Sequence, residues 1–138
     1  MRALAIIIAM VGLVHAEPNG GLRVIVNAGN AVARLDHRFV ADAFLKKRTR
    51  WDDDHAIQPA DLSQKSSVRD RFSHDVLERD VVSVRRYWAQ QVFSGHGVPP
   101  PELANEADVV KYVATHPGAI GYVGANVPLA GVKVVEVE

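Results

Sequence analysis

Apolar residues recur along this chain with two different periods. Over 22–26 the run Leu-Arg-Val-Ile-Val is rich in β-branched residues and bounded by Gly20-Gly21 and by Asn27-Ala28-Gly29-Asn30, so a buried strand is expected. The period then changes. Phe39, Val40, Ala43 and Phe44 share one helical face behind Asp36, a capping residue, which predicts a helix over 37–47 with Lys46, Lys47 and Arg48 at its negative end. Residues 56–62 form a short strand candidate weakened by Pro59. Ser67 and Asp70 have capping-box spacing, and Val68, Phe72 and Val76 recur at four-residue steps, giving a helix with one apolar stripe that ends near Arg79. A third helix over 81–93 turns Val84, Tyr87, Trp88 and Val92 inward and stops at Ser94-Gly95-His96-Gly97. Val98-Pro99-Pro100-Pro101 reads as an extended linker with polyproline character. Asn105 caps a fourth helix to about Thr115 that buries Val109, Val110 and Val113, and Pro117-Gly118 breaks it. Strands follow over 119–123 and 132–137, the last with Lys133 and Glu136 interleaved. Strands and helices in this order indicate an α/β layer fold, with helices packed on a small mixed sheet.

The first residues have a different character. Met1-Arg2 precedes an apolar run over 3–14, and Val14-His15-Ala16 stands before Glu17-Pro18. One positive charge, a short apolar stretch and small residues before a cut are the pattern of a secretory signal peptide cleaved after Ala16. That leaves 17–138 as a single domain. The run is too short for a permanent span, which needs about 20 apolar residues. With no cysteine to carry a lipid, the expected product is free in solution, and in a bacterium with two membranes its place is the periplasm.

Composition narrows the chemistry. A chain of 138 residues, 48% hydrophobic and 23% charged, is one globular domain rather than a disordered segment. Its 16 basic and 16 acidic side chains cancel, which argues against a nucleic-acid binder. The absence of cysteine removes disulfides, cysteine nucleophiles and thiolate zinc sites. The six histidines show no paired ligand spacing, and Asp52-Asp53-Asp54-His55 lacks calcium-loop spacing and reads as a polar turn. The serine of Ser94-Gly95-His96-Gly97 follows a helix instead of joining strand to helix, so it reads as a C-cap loop and not a hydrolase elbow. Trp51 and Trp88 read as packing residues. No acid–base pair, nucleophile, metal or cofactor site emerges, and the chain is expected not to be an enzyme.

Four stretches in order carry a family likeness. They are Phe44-Leu45-Lys46-Lys47-Arg48-Thr49-Arg50-Trp51, Ser66-Ser67-Val68-Arg69-Asp70-Arg71-Phe72, Tyr87-Trp88 with Phe93-Ser94-Gly95, and Gly118-Ala119-Ile120-Gly121-Tyr122-Val123. Together they resemble the periplasmic phosphate-binding proteins of ATP-driven importers, most closely short, single-lobe relatives. The resemblance implies one lobe of a periplasmic-binding-protein-like α/β fold, where the longer family members pair two lobes across a hinge. It also implies a site in which backbone N–H groups and hydroxyls at a helix N-terminus grip phosphate, helped by an arginine. By that likeness Ser66 stands at a family serine, Ser67 at a glycine and Val68 at a hydroxyl residue, while Asp61 lies near the family arginine and Arg69 is the substitute cation. The implied ligand set is Ser66, Ser67 and Arg69. The implied function is weak binding of phosphate or another small oxyanion by a secreted protein, beside an envelope protein or an ABC permease. The alternative is an interaction module of the cell envelope that kept the lobe and holds no ligand.

Overall fold

The computed structural model describes residues 21–138; the apolar run and the expected cleavage point lie outside the described residues. The elements are β1 (Arg23–Asn27), β2 (Arg34–Leu35), α1 (His37–Phe44), β3 (Gln58–Pro59), β4 (Asp61–Leu62), α2 (Ser67–Asp75), α3 (Val81–Phe93), β5 (Glu102–Leu103), α4 (Glu106–Thr115), β6 (Ala119–Val123) and β7 (Val132–Val137). A five-stranded mixed sheet has the order β2-β7-β1-β6-β3, and β4 pairs with β5 as a separate two-stranded ribbon. The expected α/β architecture, a small mixed sheet flanked by helices, is what forms.

β1 lies at the centre, antiparallel to β6 on one side and β7 on the other, with Ile25 opposite Gly121 and Val134. β2 and β3 extend the sheet in parallel with β7 and β6. All five residues of β6 are buried, as are Val24, Ile25 and Val26 of β1. Strands apolar at consecutive positions require cover on both faces. Alternation along β6 supplies it. Gly121 faces α4, where an added Cβ would meet Val109 Cγ1 at 2.7 Å and Val113 Cγ2 at 3.0 Å, so the missing side chain is what lets the helix sit down. Tyr122 points to the opposite face and stacks on Phe72 at 3.8 Å between ring centroids, with Phe44 edge-on to Phe72 at 4.7 Å. These three aromatic residues, from α1, α2 and β6, close the other half of the core.

Each helix starts on a side-chain cap: Asp36 accepts from the Phe39 N–H, Ser66 from Arg69, Asp80 from Ser83 and Asn105 from Asp108. The cap of α2 is thus Ser66 and not Ser67. Two helices stop short of their expected ends for a backbone reason. Beyond α1, Lys46 takes φ 54°, and beyond α2, Glu78 takes φ 53°, left-handed positions that helical residues do not adopt. Residues 56–62 are divided between two sheets. Gln58 donates to Gly118, just before β6, and Ala60 to Ile120 on β6, whereas Asp61 and Ser63 donate to Pro101 and Leu103. The proline linker therefore supplies acceptors and continues into β5. In α3, Val84 and Trp88 are buried as expected, but Val92 is 52% exposed and Phe93 91%, because the last turn has run past the core. Among the described residues no helix is long and apolar enough to cross a membrane.

Candidate functional site

The chain leaves β4 at Leu62 and turns into α2 through Ser63–Ser66. Ser66 N–H bonds back to the Ser63 carbonyl, and Ser66 Oγ accepts from Arg69 N–H at 3.3 Å. Ser66 thus serves first as a helix cap. Ser67, the first residue of α2, is exposed at the helix end, where N–H groups lack helical partners and the dipole is positive.

Arg69 lies elsewhere. Its side chain is only 3% exposed and turns inward, donating from Nη1 to the Leu62 carbonyl at 2.6 Å. Nε stands 3.4 Å from Asp61 Oδ1 without hydrogen-bond alignment, and Nη1 stands 3.3 Å from Glu102 Oε1. Asp61, buried itself, accepts from Leu62 N–H at 2.9 Å and from the Tyr122 hydroxyl. Burial pushes the Asp61 carboxyl up from its ordinary value, against the pull of the Arg69 charge and of the two hydrogen bonds. Burial, then the neighbouring Asp61 carboxylate, also raises the Tyr122 phenol, which stays a donor at any ordinary pH. Two carboxylates therefore face one guanidinium. The charge of Arg69 is answered within the fold, as is that of Asp61, and the pair fastens β4, β5, β6 and α2 behind the site.

A hollow of about 210 Å³ opens between the N-terminal ends of α2 and α4 and the end of β6. Ser67, Val68 and Arg71 line it from α2, Glu106 from α4, and Gly124 and Asn126 from the segment after β6. Gly124 is held from both sides. Its N–H donates to Glu106 Oε1, while Arg23 Nε donates to its carbonyl at 2.8 Å and Arg23 Nη2 to that of Val127 at 2.9 Å. A Cβ at Gly124 would lie 3.1 Å from Glu106 Oε1, a tight contact, and 3.5 Å from Val68 Cγ2, so an added methyl group would press on the Glu106 carboxylate. Of the residues expected from sequence, Ser66 and Ser67 stand at this helix end and Arg69 does not line the hollow. Glu106 and Gly124 were not expected. Their signals were slight: an acidic residue just after the Asn105 cap, and a glycine just after the Gly118–Val123 stretch.

A larger hollow, about 530 Å³, lies between β2, the start of α1 and the 48–53 turn. Its polar groups are already engaged. Asp36 caps α1, Arg48 pairs with Asp52 at 2.7 Å and lies 4.7 Å above the Phe39 ring, and Trp51 Nε1 donates to the Gly118 carbonyl at 2.9 Å. Among the described residues no group of three or more His, Asp or Glu side chains is placed to hold a metal ion. The histidines bond to neighbours on the surface: His55 to Asp53 and His74 to Asp75, with His96 near the Ser94 hydroxyl.

No family model matches the sequence, and no curated protein is significantly similar to it. Solved structures do share the fold. An ABC-type phosphate transport receptor from Vibrio cholerae is 18% identical with a TM-score of 0.63, over 85% of this chain and 46% of that one. A putative phosphate ABC transporter substrate-binding protein from Clostridium perfringens, solved with bound phosphate, is 20% identical with a TM-score of 0.67, over 85% and 44%. A possible phosphate binding protein from Planctomyces limnophilus is 20% identical with a TM-score of 0.59, over 86% and 41%. This chain spans less than half the length of each. It has the fold of phosphate ABC transporter substrate-binding proteins, in the extent of a single lobe.

Proposed function

We propose that this protein is a secreted, non-enzymatic, single-lobe relative of the phosphate-binding proteins that takes phosphate or another small oxyanion weakly at the hollow between α2 and α4. One observation carries the reading: two helix N-terminal ends and the Gly124 backbone border a single hollow, in a fold shared with a protein solved with phosphate bound. Unpartnered N–H groups and a positive dipole end are a ready anion site. Ser66 and Ser67 add hydroxyl donors, and Arg69 holds the Leu62 carbonyl behind the loop that presents them.

Weak affinity follows from the charges. The Arg69 guanidinium faces Asp61 and Glu102, and in the lining of the hollow the charge of Arg71 is offset by the Glu106 carboxylate. A dissociation constant on the order of millimolar, about 4 kcal/mol, is the expected scale. Titration of residues 17–138 with inorganic phosphate and with sulfate in a calorimeter tests this. Saturable millimolar binding, lost or weakened in Ser67→Ala and Ser66→Ala, is expected; undiminished binding in both variants would place the ligand elsewhere, and no heat at all would end the reading. Residues 1–16 are the proposed export signal and the periplasm the proposed destination, with an ABC permease or envelope protein as partner. Mass spectrometry of the exported protein should find Glu17 as its first residue, and an intact Met1 would count against export by cleavage.

A further inference from the structure

We infer that Glu106 is an internal occupant of the anion hollow, a carboxylate seated on a site that an external oxyanion must share or take over. The inference rests on the oxyanion reading of the hollow and adds what sets its affinity. Glu106 is the first residue of α4, directly after the Asn105 cap, so its backbone places it at the positive end of a helix dipole. Its side chain lines the hollow, and Oε1 accepts the Gly124 N–H. That N–H is the backbone donor at the end of the central strand pair, and Gly124 is fixed in place by Arg23 at its carbonyl. The carboxylate thus makes the charge-assisted contact that a bound oxyanion would make, and Ser67 at the α2 end lines the same hollow.

Occupation from within has two consequences. The best-placed donor of the hollow is answered in the absence of ligand, so the fold leaves no orphaned N–H there. An arriving oxyanion meets a fixed negative charge within a few ångströms, in a hollow too small for the two to separate widely, and like charges that close repel strongly. Glu106 is therefore a specificity-determining residue of this site. It discriminates against multiply charged anions: Arg71 lines the same hollow and the Glu106 carboxylate offsets its charge there, while Arg69 is paired with Asp61 and Glu102.

The test is a phosphate titration of Glu106→Gln beside the parent and Asp108→Asn. Glutamine keeps an oxygen to accept from Gly124 and removes only the charge. Asp108 lies in the same first turn of α4 but not in the hollow, so it controls for general charge effects. We expect Glu106→Gln to bind inorganic phosphate about tenfold more tightly or better, Asp108→Asn to stay within about twofold, and the Gly124 amide resonance to move on phosphate addition. Equal millimolar affinity in the parent and Glu106→Gln would overturn the inference and leave the oxyanion reading standing. Equal tightening in Asp108→Asn would also overturn it, as a general charge effect. Binding by neither protein would remove both. Binding by Glu106→Gln alone would support the inference and show that the parent hollow is closed by its own carboxylate.

Discussion

At the residue scale the Arg69–Asp61 pair governs what can be changed near the site. Truncating Arg69 leaves Asp61 buried against Tyr122 with no cation, a loss of about 3–5 kcal/mol for a broken buried pair. Urea unfolding of Arg69→Ala should show a loss of that size, and the double variant Asp61→Leu with Arg69→Met should lose less than Arg69→Ala alone. The pH dependence has a definite sign. An acid whose folded-state pKa is raised above its unfolded value holds its proton more tightly when folded, so ionising it costs stability as pH rises through that window. Asp61 is raised by burial, and Arg69 is the largest influence opposing the rise. Without Arg69 the rise is greater. Arg69→Ala should therefore be less destabilised at pH 4 than at pH 7, measured by unfolding midpoints at the two values; an equal loss at both would show that Asp61 is not the group left stranded.

At the element scale the aromatic stack and the α4 seat define where the sheet tolerates no change. Phe72→Ala empties the space between Phe44 and Tyr122 and should cost about 3–5 kcal/mol, whereas Phe93→Ala, at the exposed end of α3, should stay within about 0.5 kcal/mol; thermal unfolding of the two variants compares them directly. Gly121→Ala forces α4 off β6 and should lower stability by about 1–3 kcal/mol in the same measurement. The elements that carry this core were readable from sequence. α3, β6 and β7 have the expected bounds, because 13, five and six residues of consistent pattern flanked by caps and breakers leave little choice. β2 and β5 were not, since two residues are too short to show a period. The division at Ala60 was hidden because it is a change of backbone partner, not of side-chain pattern. The site was legible only in part. Ser66 and Ser67 announce a helix start, but the burial of Arg69 depends on Asp61 and Glu102, which reach it across two loops, and Glu106 meets Gly124 only once α4 has been laid across β6.

At the scale of the whole molecule the sheet joins the two ends of the described chain. β1 opens the order of strands, yet both its neighbours, β6 and β7, come from the last twenty residues, 119–138. Pairings this distant in sequence are slow to form, since loop-closure entropy must be met before they contribute. A chain emerging from the ribosome therefore cannot complete its core while residues 119–137 are still inside the exit tunnel. Truncation after Gly131 should leave β1 with one bare edge, and protease digestion should cut that fragment at rates near those of the denatured chain, while the full chain resists. Until residues 119–137 arrive, both edges of β1 stay bare: the placement of one strand in the middle of the sheet acts as a latch that only the two C-terminal strands can throw, so the order in which the core can close is written into the strand order.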